Sequence, residues 1–129
     1  MILQTKIDQL TRSELLTLNR VLKTACNDII GTNNKVIIRT YKRSHPDAYA
    51  YYDYDDSSIK IFRKDINNVD KYVKIFIHEW THSLQKGLKR KYVKMNIKHG
   101  YWNNPFEKEA RENESLYKSI IWKYAKSLI

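Results

Sequence analysis

A chain of 129 residues with 42% apolar residues, three glycines and two prolines is neither disordered nor collagen-like, and its length suits one domain with its own core. The formal net charge of +10 is open to a polyanionic partner such as nucleic acid, an acidic surface or a solvated face. One cysteine, Cys26, excludes an internal disulfide, no apolar run nears the ~20 residues of a membrane span, and residues 1–6 lack a signal-peptide core; the expectation is a cytoplasmic monomer with no membrane partner.

In chain order, Thr11 followed by Glu14 reads as a capping box opening a helix over residues 11–30. Leu15, Leu18, Leu22, Ala25 and Ile29 form its buried stripe, and Cys26 is a plain buried thiol within it. Gly31 to Asn34 ends that helix, and residues 36–41 follow as a short β-branched strand. Pro46 disfavours helix at His45, so residues 42–47 are a loop with His45 exposed and unpartnered. Residues 48–54 and 58–63 flank Asp55-Asp56-Ser57 as an antiparallel hairpin whose tyrosines read as strand formers rather than stacking platforms. Asn67 or Asn68 caps a central helix that runs to about Lys86 and stops near Gly87. Residues 88–104 carry no clean period and read mostly as loop, although Lys86, Lys89, Arg90, Lys91, Lys94 and Lys98 form a modest basic cluster there. Pro105 opens a last helix with Asn103 or Asn104 near its cap and Phe106, Ala110, Tyr117, Ile120, Ile121, Tyr124 and Leu128 facing inward. The class is α+β: an N-terminal helix, a small and mostly antiparallel three-stranded sheet covering one side of the central helix, and a C-terminal helix.

The chemistry concentrates in His78-Glu79-Trp80-Thr81-His82 on the central helix, where Val73, Phe76, Ile77, Trp80 and Leu84 give the apolar stripe. Histidines four apart lie one turn above each other, so both imidazoles project from one face and suit two positions around tetrahedral zinc. Glu79 projects beside them, within reach of a water on that metal. A catalytic zinc needs a third protein ligand, and His99, Glu107 and Glu109 are the downstream candidates.

Asn104-Pro105-Phe106-Glu107-Lys108-Glu109-Ala110-Arg111 after the histidine motif resembles the gluzincin group of zinc metallopeptidases, in particular small bacterial and phage-type minimal domains with N-P-x-E-x-E-A. The metzincin pattern does not fit, because Gln85 and Leu88 stand where it needs glycine and histidine. The resemblance covers His78 to about Glu114 and implies a zincin-like fold, a Zn2+ cofactor and a glutamate ligand from the helix after the motif helix. It favours Glu107, which has the small Ala110 three residues on, where such helices approach closely. Glu109 is the alternate, because Asn113 four residues on matches a supporting position of many relatives and Arg111, four after Glu107, does not. At ~100° per residue the two glutamates lie about equally far to either side of the apolar stripe, so helical geometry leaves the choice open.

A rival resemblance, to SprT-like proteases that act on proteins crosslinked to DNA, makes His99 the third ligand and suits the basic charge. Otherwise His99 or Tyr101 serves the oxyanion, with Asn113 as a supporting residue. The expected activity is hydrolysis of a protein or peptide substrate with Glu79 as general base, residues 58–63 offering an edge strand for it. The competing expectation is a non-catalytic domain stapled by the same metal and binding nucleic acid or a protein partner.

Overall fold

A computed structural model of the chain describes residues 6–85 and 87–129. The first helix starts where its cap dictates. Thr11 N–H donates to Glu14 Oε1 at 3.0 Å and Glu14 N–H to Thr11 Oγ1 at 3.1 Å, which satisfies two otherwise orphaned donors. Helix α1 (Arg12–Ile29) buries Leu15, Leu18, Val21, Leu22, Ala25 and Cys26, and burial pushes the Cys26 thiol far up.

Strands β1 (Ile37–Tyr41), β2 (Ala50–Asp53) and β3 (Ser58–Phe62) form one sheet in the order β1-β3-β2. The hairpin of β2 and β3 is antiparallel as expected, but β1 runs parallel to β3, so the sheet is mixed rather than mostly antiparallel. Strand β3 is also central, not an edge. Its Ile59 and Ile61 are fully buried, and the most apolar strand takes the position covered on both sides, leaving β1 and β2 as edges. His45 is half-buried rather than free: its Nδ1 accepts from Asp47 N–H at 3.1 Å and its ring packs on Tyr51 and Phe62.

Asn68 caps α2 (Val69–Leu84) by accepting from Lys71 N–H at 2.8 Å, and Val73, Phe76, Ile77 and Trp80 are fully buried, with Leu84 half-buried at the end. Trp80 Nε1–H donates to Gly31 O at 3.0 Å. A Cβ on Gly31 would come within 3.0 Å of Leu84 Cδ1, so glycine permits that close approach as well as ending α1. Tyr72, buried on α2, donates its hydroxyl to Asn19 of α1, whose amide donates to Thr40 of β1 at 3.0 Å. This polar link ties three elements through the core with its partners satisfied.

Residues expected as loop instead form α3 (Leu88–Asn103), starting after Gly87 at φ 65° and broken near its end by Gly100 at φ 77°. Its lysines, arginine and methionine have good intrinsic helix propensity, and it lacks an apolar period because it packs only lightly. Helix α4 (Pro105–Ser127) begins with Asn104 accepting from Phe106 N–H at 3.0 Å. Its buried face is Glu107, Ala110, Ile121 and Ala125, with Phe106, Tyr117 and Tyr124 half-buried; of the residues expected inward, Ile120 is exposed because it sits off that row and Leu128 because it follows the last residue of the helix. No helix among the described residues is long and apolar enough to cross a membrane.

Trp80→Ala removes the largest buried side chain and its bond to Gly31, so stability should fall by about 3–5 kcal/mol in urea unfolding monitored by circular dichroism.

Candidate metal centre

Helix α2 places His78 and His82 one turn apart, with ring centroids 5.0 Å apart and planes at 74°. Glu107 stands in the first turn of α4, and Ala110, fully buried one turn on, lets α4 lie close against α2. Glu107 Oε1 sits 2.9 Å from His78 Nε2 and 2.7 Å from His82 Nε2. The three residues form a group able to hold a metal ion, their ligand atoms all within 4.8 Å of one another.

The surroundings fix which nitrogen faces that point. Glu114 Oε2 lies 3.0 Å from His78 Nδ1, and a carboxylate only accepts, so Nδ1 carries the proton. Gln85 Nε2 donates to Phe106 O at 3.0 Å and to Glu109 Oε1 at 2.9 Å, which turns Gln85 Oε1 toward His82 Nδ1 at 2.7 Å. Hence His82 Nδ1 is protonated too. Both Nε2 lone pairs therefore point at the Glu107 carboxylate, and three acceptors meet with no donor among them. Such a cluster needs positive charge, supplied by protons or by a cation. Two imidazoles and one carboxylate around a common point are the donor set of a three-ligand zinc site, and carboxylate or amide partners on the far ring nitrogens accompany such ligands.

With protons as the charge, burial opposes ionisation of both rings, but the bonds to Glu107 and Glu114 win and His78 is pushed up to about 10; His82 is raised as well. Burial would raise Glu107, and the two imidazoles more than reverse it, holding the carboxyl far below the usual range. Burial raises Glu79 against the pull of His78 and His82. Glu79 has no hydrogen-bond partner among the described residues and is 7% exposed. It lines a cavity of about 320 Å³ with His78, His82, Glu107 and the tyrosines 52, 54, 92 and 101. Burial and the nearby Glu79 and Glu107 raise Tyr54, and the same burial with Glu107 raises Tyr92. Tyr101 goes up to about 12, so all three phenols are neutral donors at neutral pH. Tyr92 uses its hydroxyl on Glu107 Oε2 at 3.1 Å, bracing the carboxylate from α3.

Of the residues singled out from sequence, His78, Glu79, His82, Glu107 and Tyr101 come together. Glu109 is exposed and bonded to Gln85, and His99 is exposed on α3; neither belongs to the group able to hold a metal. Asn113 donates to Thr81 Oγ1 at 3.1 Å, tying α4 to α2 without touching a ligand. The edge strand beside the cavity is β2, through Ala50, Tyr51 and Tyr52, in place of residues 58–63. Glu114, Gln85, Tyr54 and Tyr92 escaped the sequence. A signal for Glu114 existed, since it lies seven residues after Glu107 on the same helical face. Compared with protein-family models, with curated proteins and with solved structures, the chain finds no match in any of the three.

If the triad holds a divalent cation, Glu114→Ala should weaken its binding roughly 10–100-fold in a chelator competition, because it frees the His78 ring, whereas Glu109→Ala should leave the affinity within about twofold.

Proposed function

We propose that the protein is a zinc-dependent metallopeptidase with a zincin-like, gluzincin-type arrangement that hydrolyses peptide bonds in a protein or peptide substrate. The observation that carries this reading is the meeting of three acceptor atoms, His78 Nε2, His82 Nε2 and a Glu107 oxygen, beside the buried Glu79, which has no hydrogen-bond partner among the described residues. His78, His82 and Glu107 would hold the ion. When bound, zinc supplies Lewis acidity toward a water and toward a carbonyl oxygen.

The chain's own residues supply the rest. Glu79 accepts the proton of the attacking water on its carboxylate and returns it to the leaving amine. Its burial raises the carboxyl, which makes it a better proton acceptor than an exposed glutamate. Tyr54 and Tyr101 line the same cavity as neutral donors toward charge developing on the carbonyl oxygen. The edge of β2 offers unpaired backbone groups beside the cavity, where an extended substrate can add as a further strand. Glu79 also separates this reading from a metal that only staples the fold. A staple does not need a free carboxylate buried next to its ligands.

Zinc content and cleavage of a peptide library test the assignment together. Glu79→Gln should keep about one zinc per chain and lose cleavage by roughly 10²–10⁴-fold, while Glu107→Ala should lose the metal. Full cleavage by Glu79→Gln, or a zinc-loaded wild type that cleaves nothing, would overturn the reading.

A further inference from the structure

The outer face of α3 carries a row of cations away from the cavity at His78, His82 and Glu107. Residues 88–103 contain Lys89, Arg90, Lys91, Lys94 and Lys98 and no carboxylate. At ~100° per residue, Arg90, Lys91, Lys94 and Lys98 fall in one sector of the helix, with Val93 and Ile97 along one margin, the half-buried Met95 along the other and the half-buried Tyr92 on the opposite side. All four cations are exposed. Lys89, off this sector, pairs with Asp55 at 3.1 Å; among the described residues no carboxylate pairs with the four. From Arg90 to Lys98 the row spans ~12 Å of helix axis, which matches about three phosphates of one strand at ~3.4 Å each.

At the end of the same helix, Trp102 is 67% exposed, with the Arg111 guanidinium 3.9 Å from the centre of its ring. Unpaired cations in a row, followed by an exposed aromatic ring with an arginine stacked on it, combine the two elements that hold a nucleic-acid strand: charge for the phosphates and a flat surface for a base. A lipid surface fits less well. It calls for a continuous apolar face, and among the described residues the helix exposes Val93 and Ile97 beside the cationic row and Tyr101 and Trp102 only after the break at Gly100.

We propose that α3 docks nucleic acid, with Arg90, Lys91, Lys94 and Lys98 on the phosphate backbone and Trp102 stacked on an unpaired base. The docking does not depend on peptide hydrolysis. Its place is nevertheless informative: Tyr92, on the opposite side of the same helix, bonds to Glu107, so bound nucleic acid lies one helix diameter from the metal cavity.

Fluorescence anisotropy of the zinc-loaded full chain with a labelled 20-nucleotide single strand and with the corresponding duplex tests this: the single strand should bind more tightly, and tighter binding of the duplex would overturn the stacking on Trp102. Binding should weaken steeply with salt, and Arg90→Ala/Lys94→Ala/Lys98→Ala should lower the slope of log affinity against log salt by roughly 2–3. Trp102→Ala should weaken the single strand about tenfold and leave the duplex unchanged. A control that removes the same charge elsewhere, Lys35→Ala/Lys64→Ala/Lys123→Ala, should stay within about twofold of wild type. Equal losses in the two triple variants would assign the binding to net charge alone and overturn the proposal. So would absence of binding at low salt, or binding to phosphatidylserine vesicles in place of both nucleic acids.

Discussion

Two imidazole nitrogens and a carboxylate oxygen face one another inside this protein, and three acceptors in contact repel unless positive charge lies among them. The arrangement follows from what each ring does with its other nitrogen. Glu114 and Gln85 accept from the Nδ1 protons of His78 and His82, which leaves both Nε2 lone pairs turned on Glu107. The centre is thus defined by its outer partners as much as by its ligands. A proton can satisfy it at the expense of strongly shifted ionisation, and a divalent cation satisfies it with the coordination two imidazoles and a carboxylate provide.

The rest of the fold holds that geometry. Helix α2 is anchored on its apolar side by Val73, Phe76, Ile77 and Trp80, so its histidines project from a rod that cannot rotate without exposing the core. Helix α4 brings Glu107 into place through its cap at Asn104, the small Ala110 and the Asn113–Thr81 bond, and it contributes Glu114 one face-repeat later. Helix α3 adds Tyr92 to the second Glu107 oxygen and closes one side of the cavity.

Charge is distributed unevenly over this basic chain. Among the described residues, those lining the cavity at His78, His82 and Glu107 include Asp47, Glu79 and several tyrosines and no lysine or arginine, whereas Arg90, Lys91, Lys94 and Lys98 form a cationic row on the exposed side of α3. A single helix therefore separates an acidic, hydrogen-bonding interior from an exposed cationic row. In the interior, low dielectric strengthens each contact among the ligands; outside, water and salt screen the cations, so that surface acts through many weak contacts together.

The sequence by itself determined the local features: the Thr11–Glu14 box, the Asn68 and Asn104 caps, the strand positions and the imidazole pair, because each depends on residues a few positions apart. It also narrowed the third ligand to Glu107, Glu109 or His99, and helical periodicity cannot separate the two glutamates since both flank the apolar stripe about equally. Packing decided that choice. Docking of α4 on α2 buries Glu107 and turns Glu109 out to Gln85, and the long-range contacts at Ala110 and Asn113 that set this angle have no sequence period. For the same reason the parallel pairing of β1 with β3, the central place of β3 and the helix of residues 88–103 were decided only by tertiary structure. Strand order depends on which strand needs cover on both sides, and a helix whose outer face stays in water leaves no hydrophobic period to read.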